Sequence, residues 1–122
     1  MSTLTKVLER NVAQIEKNAD MTEGRFRLGH HLMPPVGWLN DPNGLCWYKG
    51  RYHVFFQYAP FDVEGGLKFW GHYTSDDLID WKYEGTALYP DSSYDCHGVY
   101  SGSALAEQDK LHLFFTGNVK ID

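Results

Sequence analysis

Residues 37–58 read GWLNDPNGLCWYKGRYHVFFQY, and this stretch decides the fold. Lys49-Gly50 at its middle is a tight turn. Gly44–Tyr48 before it and Arg51–Tyr58 after it are short aromatic and β-branched runs, the texture of paired strands. A hairpin follows from that arrangement. Upstream, Asn40-Asp41-Pro42-Asn43-Gly44 consists of residues that turn chains: Asx side chains cap their own backbone, Pro42 fixes φ, and Gly44 tolerates a positive φ. The pentapeptide is expected to be a turn at the entrance to the first strand.

The same rhythm continues downstream. APFDVEGG (59–66) is a loop, Phe69–Ser75 a third strand, DDLID (76–80) a polar turn capped by its Asx side chains, and Trp81–Ala87 a fourth strand. After LYPDSSYDCHG (88–98) come a strand at Val99–Ala106, a turn at Glu107–Asp109, and a strand at Lys110–Thr116. Four short strands, a longer crossing and a second meander are the rhythm of a β-propeller, with a jelly roll or sandwich as the alternative. The N-terminal region differs. Leu4, Leu8, Val12, Ile15 and Ala19 recur in steps of three and four, predicting one amphipathic helix over residues 4–19 that packs on the body of the protein or forms an oligomer contact. GRFRLG (24–29) links it to the β region. The chain therefore divides into a helix and link, 1–29, and an all-β part, 30–122.

The composition narrows the function classes. Sixteen acidic residues against eleven basic ones give a net charge of −5, and no Lys/Arg cluster offers a nucleic-acid surface. Apolar residues at 43% argue against disorder, and aromatics at 16% favour a β-rich, sugar-binding or interface-rich protein. No apolar run is long enough to span a bilayer, and the first twenty residues lack the apolar core of a signal peptide, so a cytoplasmic location is expected. Cys46 and Cys96 fit reduced thiols, with a single bridge as the alternative. The adjacent His30 and His31 point opposite ways on an extended segment and have no third ligand spaced to join them, so no metal site is expected. His53 and His72 fall in strands among aromatics, as structural groups. Trp47 and Trp81 are read as packing residues.

The candidate chemistry lies in the aromatic–amide texture. Trp38 precedes Asn40 and Asp41, Gln57 stands on the return strand, and FWGHYTSDDLIDW (69–81) and GVYSGSA (98–104) follow. Aromatic faces beside amides and carboxylates suit sugar recognition, which needs apolar stacking and directional hydrogen bonds.

WLNDPNG, then FFQY, WGHYTSDDLIDW and YSGSA, in that order and spacing, resemble glycoside hydrolase family 32, the invertase and β-fructofuranosidase family. The cytosolic sucrose-6-phosphate hydrolases look closest. The match covers residues 30–122. The resemblance implies the N-terminal part of a five-bladed β-propeller, a first blade and about half of a second, with the active site at the propeller axis. It implies retaining hydrolysis of a β-fructofuranoside such as sucrose or sucrose 6-phosphate, without metal or organic cofactor. Asp41 falls on the nucleophile position. Trp38, Leu39, Asn40, Gln57, Trp70, Tyr100 and Ser101 fall on substrate-contacting positions, Tyr100 standing where Phe is usual.

There are two departures. Gly65 stands where the family usually has a further tryptophan. The family's acid/base glutamate and its transition-state-stabilising aspartate belong to Glu-Cys and Arg-Asp-Pro motifs, and neither occurs in these 122 residues. Glu64, Glu84 and Glu107 have no matching context. Retaining hydrolysis needs two carboxylates about 5 Å apart, so the chain is expected to be an N-terminal portion that is inactive by itself. A non-catalytic fructoside-binding module and an assembly fragment are the rival readings, and the oligomeric state is left open.

Overall fold

The computed structural model describes residues 1–20, 24 and 27–121; Met21–Glu23, Arg25 and Phe26 of the expected link, and Asp122, lie outside the described residues. One helix, α1 (Thr3–Asp20), precedes six strands: β1 (Trp38–Tyr48), β2 (Arg51–Ala59), β3 (Phe69–Ser75), β4 (Lys82–Leu88), β5 (Val99–Ala106) and β6 (Leu111–Gly117). The first four form an antiparallel sheet in chain order, and β5 and β6 form a separate hairpin.

The sheet is covered on both faces, which explains the near-continuous burial of Val54–Ala59 in β2. Side chains alternate across a strand. Phe56, Tyr58, Phe69 and Tyr73 therefore meet Val12 of α1 on one face, while Phe55 and Trp70 meet Val99 on the other, with Leu111, Leu113 and Phe115 of β6 packed against them. Gly71 lies opposite Phe56 in the β2–β3 ladder, and a Cβ there would fall within 2.7 Å of Phe56 Cε1 and closer still to Cζ and Cε2.

The helix packs on the body of the protein, with its buried line rotated slightly from the expected one. Thr5 and Val12 are buried, Leu8, Ile15 and Ala19 half-buried, and Leu4 is exposed. Hydrogen bonding explains the change at the first turn. Ser2 caps α1, its Oγ accepting from Thr5 N at 3.0 Å, and Thr5 Oγ1 donates to Asp91 Oδ2 at 2.6 Å. That bond turns Thr5, not Leu4, toward the protein. Further along, Glu16 Oε1 accepts from Tyr58 at 2.9 Å and from Tyr83 at 2.7 Å, joining α1 to β2 and β4. Burial pushes both phenols well above their ordinary range.

The expected turn at Asn40–Gly44 is not a turn. The pentapeptide lies inside β1, which pairs with β2 from Trp38 onward. Asn40 pairs with Gln57 and Pro42 with Phe56, leaving Asp41 as an extra residue; a second extra residue lies between Asn43 and Cys46. Both are β-bulges, and they need the same left-handed backbone that turns need: φ is +39° at Asp41 and +58° at Gly44. The chain reverses at Lys49-Gly50, where both φ values are positive, as a two-residue hairpin requires. Ser75 and Asp77 side chains cap the 76–80 turn, Asp77 Oδ1 accepting from Ile79 N and Asp80 N, while Asp76 pairs instead with Arg51. Cys46 and Cys96 are free thiols. No helix among the described residues is long and apolar enough to cross a membrane.

Candidate active site

A further bulge, in β5, faces the Asp41 bulge from the other sheet. In β5, Tyr100 pairs with Thr116 and Gly102 with Phe115, so Ser101 is unpaired. A bulge re-aims the side chain of its extra residue. Here the two extra residues meet: Ser101 Oγ donates to Asp41 Oδ2 at 3.1 Å.

The surrounding bonds hold each partner. Asn43 is buried, and its Nδ2 donates to the Asp41 carbonyl at 3.0 Å, fixing the backbone of the bulge. Its Oδ1 has no hydrogen-bond partner. Trp38 Nε1 donates to Asn40 Oδ1 at 2.9 Å, which orients the Asn40 amide. Gln57, buried, donates through Nε2 to Val99 O at 2.8 Å, and Trp70 Nε1 donates to Tyr100 O at 3.1 Å. These last two bonds fasten β5 to the first sheet at the residues beside Ser101.

An open cavity of about 430 Å³ results, lined by Asn40, Asp41, Gln57, Lys68, Tyr100, Ser101 and Thr116. Asp41 is the one carboxylate in that lining. Lys68 is the one cation among the described residues of the lining. Burial draws its ammonium below the ordinary lysine value, and the Asp41 and Asp62 carboxylates partly offset the effect. A hollow of similar size, about 460 Å³, lies by Glu16, Tyr73 and Tyr83, where hydrogen bonds to one another or to backbone already engage the polar side chains.

Five residues expected at a sugar site, Asn40, Asp41, Gln57, Tyr100 and Ser101, thus line one cavity. Trp38 is not part of that lining; it is exposed and bonded to Asn40. Leu39 and Trp70 are elsewhere. Leu39 packs against the α1-side core, because it alternates with Trp38 and Asn40 across β1. Trp70 is fully buried in the other core and acts on the cavity only through the Tyr100 backbone. Sequence reasoning missed Lys68 and Thr116. Thr116 follows from register, as the partner of Tyr100. Lys68 stands directly before FWGH, across a double glycine from Glu64.

Residues 31–122 match the glycosyl hydrolases family 32 N-terminal domain. The chain is 50% identical over 112 residues to the sucrose-6-phosphate hydrolase of Bacillus subtilis, covering 91% of this chain and 23% of that protein. Among solved structures, it superposes on the GH32 β-fructofuranosidase of Bombyx mori, a mutant in complex with sucrose, with a TM-score of 0.84 at 38% identity, over 95% of this chain and 24% of that one. It superposes on the sucrose-6-phosphate hydrolase of Lactobacillus gasseri with a TM-score of 0.77 at 41% identity, over 89% and 22%. The chain spans about a quarter of the length of these relatives.

Proposed function

The chain belongs to glycoside hydrolase family 32, and on that premise we propose that it carries the nucleophile, Asp41, and much of the fructose pocket of a retaining β-fructofuranosidase. The observation that carries this reading is the Asp41 carboxylate, aimed by its bulge into a polar cavity and held there by Ser101. Asp41 attacks the anomeric carbon of a terminal fructosyl unit as its carboxylate. The glycosidic oxygen leaves with a proton from a second carboxyl group, and water then hydrolyses the fructosyl ester. Ser101 positions the attacking oxygen. Asn40, Gln57 and Tyr100 offer hydrogen bonds and an aromatic face to the sugar. The cavity lining holds one carboxylate, so the acid/base comes from residues outside that lining.

On the same reading β1–β4 form the first blade of a five-bladed propeller and β5–β6 half of the next. The exposed apolar side chains of Leu45, Trp47, Leu105 and Phe114 are surfaces for neighbouring elements of that propeller to cover. The substrate is sucrose, sucrose 6-phosphate or a related β-fructoside, and the enzyme is cytoplasmic. The names of the bacterial relatives support that substrate class, and a phosphorylated sugar does not cross a bilayer unaided.

Asp41→Asn, made in the protein expressed from its complete native gene, tests the reading. The expected loss in kcat on sucrose and sucrose 6-phosphate is roughly 10³-fold or more. Mass spectrometry of the wild type quenched during turnover should find a fructosyl adduct on the peptide containing Asp41. An Asp41→Asn variant within about tenfold of wild type refutes the assignment. The single lining carboxylate favours a second reading for the 122-residue chain taken alone, reversible fructoside binding without cleavage; calorimetry with fructose or sucrose tests it.

A further inference from the structure

The side chain of Lys68 occupies a prepared place. A Cβ on Gly65 would lie 2.9 Å from Lys68 Nζ and 3.4 Å from two atoms of the Trp38 indole. Gly65 therefore leaves room for the end of this side chain beside the indole. Its backbone is fixed by Val99 N, which donates to Lys68 O at 2.9 Å. The ammonium stands 5.9 Å from the Trp38 ring centroid, where the ring's π face attracts a cation. Among the described residues it has no ion pair within 4 Å. It lines the Asp41 cavity and, among the described residues, is the only cation there.

An anionic substrate approaching a carboxylate nucleophile is repelled, and more so in a chain of net charge −5. An ammonium in the same cavity, close enough to feel the Asp41 and Asp62 carboxylates, offsets that local field and supplies charge-assisted hydrogen bonds to a phosphate. We propose that Lys68 is the specificity-determining residue of this site, its ammonium binding the phosphoryl group of a phosphorylated β-fructoside while Asp41 meets the fructosyl carbon. This rests on the β-fructofuranosidase reading of the Asp41 cavity.

The test compares kcat/KM on sucrose 6-phosphate and on sucrose for wild type, Lys68→Met, Lys68→Gln and Lys68→Arg, all expressed from the complete native gene. Wild type is expected to prefer the phosphorylated sugar. Lys68→Met and Lys68→Gln should each reduce the ratio of the two kcat/KM values about 10- to 100-fold, mainly through KM for sucrose 6-phosphate, the size of a lost charged hydrogen bond. Lys68→Arg should recover part of the preference. Inorganic phosphate should inhibit wild type competitively and inhibit Lys68→Met more weakly. Either neutral variant that retains the wild-type melting temperature suffices for the comparison.

A ratio unchanged within about threefold overturns the proposal. If both substrates lose rate equally, Lys68 serves the fructosyl half or Asp41 itself, and the proposal fails again. A wild type that cleaves sucrose without preference for its phosphate also overturns it. A wild type that cleaves neither sugar, or an active Asp41→Asn variant, sinks instead the reading on which the inference stands.

Discussion

Lowering the pH from about 7 to about 4.5 should destabilise the protein through one residue, His72. His72 Nε2 and His53 Nδ1 are 2.9 Å apart, and His53 Nε2 lies 3.1 Å from Tyr48 O. A carbonyl only accepts, so His53 carries its proton on Nε2. When His53 Nδ1 carries no proton, it accepts from His72 Nε2–H. The His72 ring also stacks on Phe55, at 4.3 Å between centroids. Burial, and secondarily His53, draw the His72 pKa from 6.5 down to about 4, with Glu84 opposing. The unfolded chain therefore takes up a proton below pH 6.5 that the folded protein refuses until about pH 4. The stabilisation is complete above that window and lost as pH falls through it. The shift corresponds to about 2.5 kcal/mol between these two pH values, which partial exposure of the ring reduces to roughly 1–2 kcal/mol. His72→Gln keeps a donor for His53 and removes the titration. Urea unfolding of both proteins, followed by tryptophan fluorescence across the pH range, should show wild type losing that much more stability than the variant. Parallel profiles would refute the buried, neutral His72. Asp77, whose carboxyl is held below its ordinary value by hydrogen bonds, adds its acid sensitivity at lower pH in both proteins, and Glu84, also held low by hydrogen bonds, loses its coupling to His72 in the variant.

Three further predictions concern packing and the anchoring of α1. Gly71→Ala should cost about 2–3 kcal/mol in urea unfolding, because the new methyl enters the Phe56 ring; Phe56→Leu in that background should recover at least about 1 kcal/mol, and simply additive costs would refute the clash. Val12→Ala should cost about 1–2.5 kcal/mol by removing methyl groups from the core under α1. Glu16→Ala, which leaves the Tyr58 and Tyr83 hydroxyls without their acceptor, should cost about 1–3 kcal/mol. In both variants hydrogen exchange should accelerate in α1 and stay slow in β2; equal acceleration in both elements would show that the helix is not a separately anchored layer.

What the sequence made legible follows from which signals are local. Phe69–Ser75 and Val99–Ala106 are strands with the expected bounds, because each is a β-rich run between turn residues. The Lys49-Gly50 reversal was equally plain. Asn40–Gly44 misled for a physical reason: turns and bulges draw on the same residues, since both need left-handed backbone. Only the partner strand distinguishes them, and that partner lies fifteen or so residues further on, where Gln57 and Phe56 flank the gap left by Asp41. Leu39 and Trp70 show the same limit. Their motif neighbours line the cavity, but strand alternation turns these two into the cores. Lys68 is not legible locally because its place depends on an absent side chain at Gly65 and on a tryptophan thirty residues upstream.

The bulges also explain how a site that needs exact placement can rest on strands rather than on loops. In a regular β1 the residue after Asn40 would pair with Phe56 and take its place in the alternation between cavity and core. The extra residue escapes that alternation, so Asn40 and Asp41, adjacent in sequence, both reach the cavity. In β5 the same device lets consecutive Tyr100 and Ser101 line it together. Deleting Ser101 would regularise the pairing with β6 and take away the donor to Asp41 in one step. The cores beneath are held independently, by Phe55, Trp70 and Val99 on this side of the sheet and by α1 on the other. The paired residues of these strands carry the fold, and the unpaired Asp41 and Ser101 meet across the gap between the two sheets.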